Sequence, residues 1–513
     1  MGFFYYDFAF LVIFSIIVGA FLYRNRKKLQ IESKILLLYK TKFGLNFIDK
    51  VSSKAPWLMR GLASLSIVSG FFLMAGAVFF LIQAVIMMGS AVTLPKIPPL
   101  MPLVPYLPSI FKIKFLPPFY FTYWIISIAI VAISHEFMHG VFSRFYNIKL
   151  KSTGFGFLGP FLAAFVEPDE KEMSKRPVKN QMAILAGGSF ANLIMAILFF
   201  LLLGCFFVSA YAPTGVTFNM YMMKNVNLSD ISEINGKAVS LTDYPSFADA
   251  AKEANTGEIT VKSGDDIYIT TNETVILQEQ ILKNSKEVLA RKIMLLNAAN
   301  LLLESEKIKA DMAAMNEINE NLGKTVAFYT DTPAYRAKLD GAILSIEDKS
   351  TTSLDELSEA LSQFKPGQNV TIRTTSGNYS IILAENPENS SKAYLGIGFA
   401  QTETSRLVEW FTSFSLFKKK AQFVYYAPKY DAFYGDLTIF IYNLLLWVLL
   451  INVSVMFVNK LPMGIFDGGK FFYLTVFALT KSKRKAMKGF KIAGSIILFI
   501  LLLLMVIWFF KAF

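Results

Sequence analysis

Long apolar stretches with almost no charged residues constrain this chain more strongly than any other feature of its sequence. A helix needs about 20 consecutive apolar residues to cross a bilayer. The stretches that reach this length are about 4–23, 61–89, 119–142, 181–211, 437–458 and 490–511. Only 17% of the residues are charged and 54% are hydrophobic, which excludes an ordinary soluble domain. We therefore predict a helical transmembrane bundle of about six spans in a cell membrane, interrupted by a polar extramembrane α+β insert.

Basic residues beside the spans predict the orientation of the bundle. Cytoplasmic loops of membrane proteins are enriched in Lys and Arg, and the segments 24–60, 143–180 and 481–489 are basic. We expect these segments in the cytoplasm, which places 90–118 and 212–436 on the outer side. The formal charge of +13 is concentrated in such membrane-edge clusters, so no nucleic-acid partner is predicted.

Two further segments are predicted to associate with the membrane without crossing it. Residues 95–118, at the end of the N-terminal region 1–118, carry eight prolines among apolar residues, which excludes a regular helix. The stretch 154–165 is apolar and Gly-rich but too short to span a bilayer. A re-entrant loop packed against protein and a loop at the membrane surface fit this stretch equally well.

Two histidines one helical turn apart predict a metal site within the third span. They stand in the sequence His135-Glu-Phe-Met-His139, and residues four apart share one face of a helix, so both can bind one metal ion. They are the only histidines of the chain, and ionisable side chains in an apolar span need a functional or a pairing reason. Glu136 between them is the natural general base. The alternative is a histidine pair that is hydrogen-bonded within a helix bundle.

A carboxylate is needed as a third ligand, because catalytic zinc usually has three protein ligands and the chain has no third histidine. Asp467 stands out, directly after the fifth span in the C-terminal region 437–513. Gly464 weakens the helix before it, and Gly468 and Gly469 are expected to let the backbone turn so that the short side chain reaches the metal. The alternative interpretation of Asp-Gly-Gly is an ordinary turn.

Three stretches taken together resemble the site-2 protease family. His135-Glu-Phe-Met-His139 and Asn459-Lys-Leu-Pro-Met-Gly-Ile-Phe-Asp-Gly-Gly469 resemble the two signature motifs of that family. Ala186-Gly-Gly-Ser-Phe-Ala-Asn192 resembles its Gly-x-x-x-Asn segment. The resemblance covers residues 119–211, which are predicted to form the catalytic core, and 437–480.

The resemblance implies an intramembrane zinc metalloprotease that cleaves within or near the transmembrane helices of single-pass membrane proteins, as in regulated intramembrane proteolysis. The residues that it implies are the zinc ligands His135, His139 and Asp467, the general base Glu136, and Asn192 and Asn459 as contacts of the substrate backbone or the developing oxyanion. The active site is expected toward the cytoplasmic side, since His139 and Asp467 both precede basic segments.

The insert contains an internal repeat. Ile231-Ser-Glu-Ile-Asn-Gly-Lys237 resembles Ile343-Leu-Ser-Ile-Glu-Asp-Lys349, and each is followed by a helix-favouring patch and a β-favouring stretch. The order resembles two PDZ domains, at 215–280 and 325–400, joined by a helical connector at 281–324. PDZ domains typically add a peptide strand to a sheet edge. Binding of a peptide or protein ligand and gating of access to the active site are equally fair interpretations of the insert.

Two other functions are compatible with parts of the sequence. One is a different class of membrane zinc protease, in which a glutamate and not Asp467 completes the ligand set. The other is an inactive membrane-anchored PDZ scaffold. The position of His135-Glu-Phe-Met-His139 inside an apolar span argues against the first, and the presence of Glu136 with both histidines argues against the second.

Overall fold

The structure is a computed structural model that describes residues 2–32, 36–90, 103–111, 116–158, 161–253, 257–303, 306–399, 423–430 and 433–512. The chain forms two compact units. One comprises Met1–Ala210 with Tyr430–Phe513, and the other comprises Tyr211–Lys429. The predicted Pro-rich segment 95–118 lies in part outside the described residues.

Long apolar helices dominate the first unit. In chain order, the α-helices within the described residues of both units are α1 (Gly2–Asn25), α2 (Leu45–Ser53), α3 (Pro56–Ser90), α4 (Leu107–Ile110), α5 (Phe121–Phe145), α6 (Glu170–Ser174), α7 (Val178–Ala210), α8 (Tyr244–Glu253), α9 (Asn272–Leu303), α10 (Glu306–Asn321), α11 (Pro333–Arg336), α12 (Leu354–Ser362), α13 (Phe433–Val458), α14 (Asp467–Thr480) and α15 (Lys483–Ala512). Within the described residues, six of these are long and apolar enough to cross a membrane, namely α1, α3, α5, α7, α13 and α15. The six predicted spans are therefore confirmed as helices of membrane-spanning length and composition. Helices α5, α7 and α13 pack against one another and form the centre of this unit.

A four-stranded antiparallel sheet also belongs to the first unit. Its strands are β1 (Leu29–Glu32), β2 (Leu36–Thr41), β3 (Leu150–Leu158) and β4 (Phe161–Pro168), in the order β1-β2-β3-β4. The stretch 154–165, for which the sequence predicts a re-entrant or interfacial loop, lies in the paired antiparallel strands β3 and β4. Its backbone groups pair between these two strands and with β2, a partner more than 100 residues earlier in the chain that local sequence does not reveal.

Glycine and polar contacts hold this sheet together. A Cβ on Gly154 would collide with the backbone carbonyl of Tyr39, so only glycine lets β2 and β3 approach here. On the next strand, Glu167 accepts hydrogen bonds from Lys40 Nζ and Ser152 Oγ, each at 2.7 Å. These two hydrogen bonds hold the pKa of the Glu167 carboxyl below its usual value. The carboxylate therefore links β4 to both β2 and β3.

A buried acid in the first span anchors the helix that carries the histidines. The Asp7 carboxylate accepts hydrogen bonds from Tyr106 Oη at 2.5 Å and from Thr122 Oγ1 at 2.6 Å. It also accepts the backbone N–H groups of Phe121 and Thr122, each at 2.8 Å. These N–H groups belong to the first turn of α5, where they have no partner within the helix. Asp7 thus satisfies the N-terminus of α5 and fixes α1 against it.

The second unit contains two larger sheets. Its strands are β5 (Tyr211–Val216), β6 (Met220–Tyr221), β7 (Met223–Asn227), β8 (Ile231–Ile234), β9 (Lys237–Ala238), β10 (Glu258–Ser263), β11 (Asp266–Thr271), β12 (Thr325–Thr330), β13 (Ile343–Ile346), β14 (Lys349–Ser350), β15 (Asn369–Thr374), β16 (Asn378–Ile382), β17 (Ala384–Asn386), β18 (Asn389–Tyr394), β19 (Ile397–Gly398) and β20 (Val424–Pro428). One sheet has the order β7-β12-β11-β10-β8-β9, and the other has the order β16-β15-β13-β5-β20 with β14 paired to β13. Each sheet has its own apolar core, with Phe247 and Phe328 in the first and Ile346 and Ile372 in the second.

The internal repeat is visible in the order of these elements. Strand β8, the short β9, helix α8 and the hairpin β10–β11 recur as β13, β14, α12 and β15–β16. The sheets do not follow the predicted domain boundaries at two strands. Strand β12 falls in the predicted second domain, 325–400, but pairs with β7 in the first sheet. Strand β5 precedes the first sheet in the chain but pairs with β13 in the second sheet. Helices α9 and α10 pack together where the sequence predicts a helical connector.

Candidate metal centre

Three side chains from distant parts of the first unit converge at one point. His135 and His139 lie one turn apart on α5, and their Nε2 atoms are 3.2 Å from each other. Asp467 Oδ2 lies 3.0 Å from His139 Nε2 and 3.4 Å from His135 Nε2. Among the described residues, these three form the group of His, Cys, Asp and Glu side chains that is able to hold a metal ion. The structure therefore brings together the three predicted ligands.

The spacing of these donor atoms fits a tetrahedral ion. Zinc binds nitrogen and carboxylate oxygen at about 2.0–2.1 Å, which puts neighbouring donors of a tetrahedron about 3.3–3.4 Å apart. The observed separations of 3.0, 3.2 and 3.4 Å are close to this value. Two imidazole nitrogens and one carboxylate oxygen are also a usual donor set for a catalytic zinc site, which keeps its fourth position for water or substrate.

A glycine of α7 provides the space beside the two ring nitrogens. A Cβ on Gly188 would lie 2.5 Å from His139 Nε2 and closer still to His135 Nε2. A methyl group at residue 188 would therefore occupy the space that a metal ion bound to both nitrogens needs. The groups at this point fit a bound metal ion, both in their donor chemistry and in the room that Gly188 leaves.

Two consecutive carbonyl groups of α7 support the centre from behind. His139 Nδ1 lies 2.7 Å from the Ile184 carbonyl oxygen, a geometry in which Nδ1–H donates and the lone pair of Nε2 is left for a metal. Lys460 is fully buried, and its Nζ donates to the Leu185 carbonyl at 2.6 Å. The same ammonium group lies over the Phe471 ring, 5.1 Å from its centroid. Helix α7 thus holds one ligand directly and the segment of the third ligand through Lys460.

The segment that carries Asp467 is packed backbone against backbone. Helix α13 ends at Val458, α14 begins at Asp467, and Gly468 N–H donates to the Asn459 carbonyl at 2.9 Å. A Cβ on Gly468 would lie 2.5 Å from the Leu461 carbonyl oxygen, and one on Gly469 would overlap the Met463 carbonyl group. Both glycines lie in the first turn of α14 with ordinary φ values. They are therefore required for close approach, and not for the turn that the sequence predicts.

Comparison with known proteins identifies the family. Residues 123–504, about three quarters of the chain, match peptidase family M50. The chain belongs to this family. This confirms the predicted resemblance to site-2 proteases, and it makes the protein a membrane-embedded metalloprotease by family. The uncharacterized protein MJ0971 of Methanocaldococcus jannaschii is 29% identical over 262 residues, which cover 49% of this chain and 67% of that relative.

The glutamate between the histidines of the M50 centre is held by the sheet. Glu136 Oε2 accepts a hydrogen bond from the backbone N–H of Val166, in β4, at 2.9 Å. Because β4 is the last strand of its sheet within the described residues, this N–H belongs to an edge that no described strand covers, here called the open edge. Sequence reasoning did not find this contact. The alternation of Gly and Phe from Gly154 to Phe157 has the period of a strand and indicates β3, but it does not indicate which residue of β4 contacts Glu136.

Two asparagines border the M50 centre from opposite sides. Asn459 Nδ2 lies 3.0 Å from His135 Nε2 and 3.0 Å from Asp467 Oδ2, so it contacts two of the three donor atoms on their metal-facing side. Asn192 Nδ2 lies 3.0 Å from the opposite ring nitrogen, His135 Nδ1. Asn192 is fully buried, whereas Asn459 is only partly so. The structure therefore brings together all six residues that the sequence predicts for the site.

Proposed function

We propose that this protein hydrolyses peptide bonds within or near the transmembrane helices of single-pass membrane proteins, in regulated intramembrane proteolysis. The observation that carries the proposal is the donor set of His135, His139 and Asp467, which has tetrahedral spacing and lies beside Glu136. Both histidines and Glu136 stand on α5, an apolar helix of membrane-spanning length. Membership of family M50 supports a peptidase and argues against an inactive PDZ scaffold or a zinc protease with a glutamate ligand.

The side chains have distinct roles in this proposal. His135, His139 and Asp467 hold the ion, and zinc bound there supplies Lewis-acid chemistry that polarises a peptide carbonyl and acidifies water. Glu136 is the general base and takes the proton of the attacking water, then returns it to the leaving amine. Since Val166 N–H binds Oε2, Oε1 is the oxygen available to receive that proton.

Asn459 is the proposed donor to the substrate. Its Nδ2 lies 3.0 Å from both His135 Nε2 and Asp467 Oδ2. His135 Nε2 would spend its one lone pair on the ion, whereas Asp467 Oδ2 keeps a second lone pair that can still accept one amide hydrogen. The other amide hydrogen would then be available to a substrate oxygen beside the ion. A donor there stabilises negative charge as it develops on the scissile carbonyl oxygen. Contact of Asn192 with the substrate stays a prediction from the family resemblance.

The open edge of β4 is the proposed binding site of the unwound substrate. A helix resists cleavage because its carbonyls are hydrogen-bonded, and leaving these groups unsatisfied in hydrocarbon costs several kcal/mol each. In an antiparallel sheet alternate residues turn their backbone groups to the same edge, so Ala164 and Leu162 share the edge used by Val166. A substrate strand paired there would regain its backbone hydrogen bonds next to Glu136.

The polar unit and the orientation complete the proposal. We propose that the two repeated sheets are PDZ-like domains on the outer side, and that the metal centre lies toward the cytoplasmic side. The basic segments 24–60, 143–180 and 481–489 support this orientation. Because Cys205 is the only cysteine, single cysteines placed at Ser229 and Lys483 in a Cys205→Ser background can test it. An impermeant thiol reagent should label the first in intact cells and the second only after lysis. Labelling of Lys483→Cys alone in intact cells would reverse the orientation.

The function is tested by the Glu136→Gln variant. Glutamine has nearly the same shape but cannot take a proton, so this variant should keep zinc and lose cleavage of a model single-span substrate. The matched control is Glu306→Gln, a change at a glutamate whose side chain is 88% exposed on α10. Cleavage by Glu136→Gln at the wild-type rate would refute the proposed mechanism. A wild-type protein that binds zinc but cleaves no transmembrane substrate would favour the inactive scaffold.

A further inference from the structure

The amide of Asn192 contacts a predicted metal ligand through one atom and leaves its other polar atom without a partner. Its Nδ2 lies 3.0 Å from His135 Nδ1, and its side chain is completely buried between helices of the first unit. Its Oδ1 is also buried, and it has no hydrogen-bond partner among the described residues. A buried acceptor without a partner destabilises the folded state. Such an arrangement calls for an explanation in terms of what the amide does.

The neighbouring ligand shows which arrangement a metal requires. A neutral imidazole carries one proton, so a ring that binds a metal through Nε2 must carry its hydrogen on Nδ1 and donate it. His139 meets this condition, because its Nδ1 faces the carbonyl oxygen of Ile184. His135 does not meet this condition while Asn192 Nδ2 lies in front of its Nδ1. A hydrogen on Nδ1 would then face the amide N–H group, and two donors cannot form a hydrogen bond. In that orientation the ring hydrogen belongs on Nε2, the atom that faces Asp467.

We propose that Asn192 is a positioning residue that selects the metal-binding form of His135. A rotation of 180° about the Cβ–Cγ bond exchanges Oδ1 and Nδ2 while the rest of the side chain stays in place. Oδ1 then accepts from His135 Nδ1–H, and the lone pair of Nε2 is directed at the ion. The same rotation gives Oδ1 the partner that it lacks, and the amide nitrogen then takes the place that the oxygen leaves. Zinc loading is thus coupled to the orientation of one buried amide.

This inference rests on the metal centre proposed above, but it assigns Asn192 to the protein's own ligand and not to the substrate. Asn459 already contacts the metal-facing side of the donors. Asn192 lies behind His135, on the far side of the imidazole ring. Groups that accept the second ring hydrogen of a metal-binding histidine typically contribute about 10- to 100-fold to metal affinity. Loss of the Asn192 acceptor should have an effect of that size.

Zinc affinity of three full-length variants tests the proposal. Asn192→Leu has a similar volume but no acceptor, so zinc affinity should fall about 10- to 100-fold. Asn192→Asp keeps an oxygen that only accepts, so its affinity should equal or exceed that of the wild type. The control is Asn452→Leu, which removes another fully buried asparagine from a spanning helix, where Nδ2 donates to the Val448 carbonyl. Zinc is titrated by chelator competition in detergent, on protein purified with a tag that contains no histidine.

The tautomer of His135 is a second readout that requires no activity and no substrate. The chain has only two histidines, so a spectrum of ¹⁵N-histidine protein contains four ring nitrogens. With zinc, both Nδ1 atoms should carry a hydrogen in the wild type and in Asn192→Asp, and the His135 signal should change in Asn192→Leu. If Asn192→Leu folds poorly, Asn192→Asp and the wild-type spectrum still decide the matter.

Three results would overturn the inference. They are wild-type zinc affinity in Asn192→Leu, a loss of zinc in Asn192→Asp as large as in Asn192→Leu, and a zinc-loaded wild type whose His135 Nδ1 carries no hydrogen. A wild-type protein that binds no zinc would instead refute the metal centre itself. Failure to cleave substrate, with these zinc and tautomer results intact, would refute only the proposed peptidase function.

Discussion

Replacement of Gly188 by alanine should exclude the metal without removing any ligand. The new methyl group would lie 2.5 Å from His139 Nε2 and closer to His135 Nε2, whereas ordinary contact begins at 3.4 Å. The His139 ring therefore has to retreat by about 0.9 Å, from 2.5 to 3.4 Å, and the His135 ring by slightly more. Such a shift is large compared with the tolerance of about 0.2 Å on metal–ligand distances. We expect zinc affinity to fall at least about 100-fold, which corresponds to about 2.8 kcal/mol.

The assay is zinc content and zinc affinity of the purified protein, together with cleavage of a model substrate. Gly61→Ala is the matched control, because it makes the same change in the long helix α3, where a Cβ meets nothing within 4 Å. Alanine is favoured over glycine by about 1 kcal/mol in a helix, so both variants should keep their helical content. Only Gly188→Ala should lose zinc and cleavage.

The outcome that would refute this reasoning is a folded Gly188→Ala protein with wild-type zinc affinity. The two histidines would then have to bind the metal from positions other than those in the structure. Loss of zinc in both variants would also contradict it, since the effect would then come from glycine replacement in general and not from the space beside the ring nitrogens.

Three further perturbations test other parts of the structure. Gly468→Ala should abolish zinc binding, because its Cβ would collide with backbone carbonyls, whereas Gly464→Ala should retain it, because its Cβ meets only a side-chain ring atom at 3.4 Å; zinc content separates the two. Asp7→Leu should lower the unfolding temperature, because it removes the acceptor of four hydrogen bonds in the first unit, at about 1–3 kcal/mol for each buried donor left unpaired; an unchanged melting curve would contradict this. Replacing residues 217–423 by a short turn is feasible because β5 and β20 pair with each other. This variant should retain zinc, and if the insert restricts access, it should also cleave substrates with folded outer domains. An unchanged preference for trimmed substrates would exclude that role of the insert.

Local sequence determines much of the membrane-spanning framework. Crossing a bilayer requires length and apolar composition, and both are properties of a contiguous stretch. The pairing of His135 with His139 is equally local, because a spacing of four residues places both side chains on one helix face wherever the helix lies. These predictions needed no knowledge of the partner elements, and the structure has all six helices and the facing histidines.

Tertiary structure decided how the centre is completed. Asp467 reaches His139 across 328 residues, Val166 holds Glu136 from the edge of a sheet, and Gly188 leaves room beside the ring nitrogens. The role of Gly468 likewise depends on the carbonyls packed against it and not on its own φ. Periodicity and composition report what a segment buries, but not against which partner or at which distance. Those distances follow from the packing of α5, α7 and the Asp467 segment, and the donor spacing that suits a metal exists only after these elements have packed together.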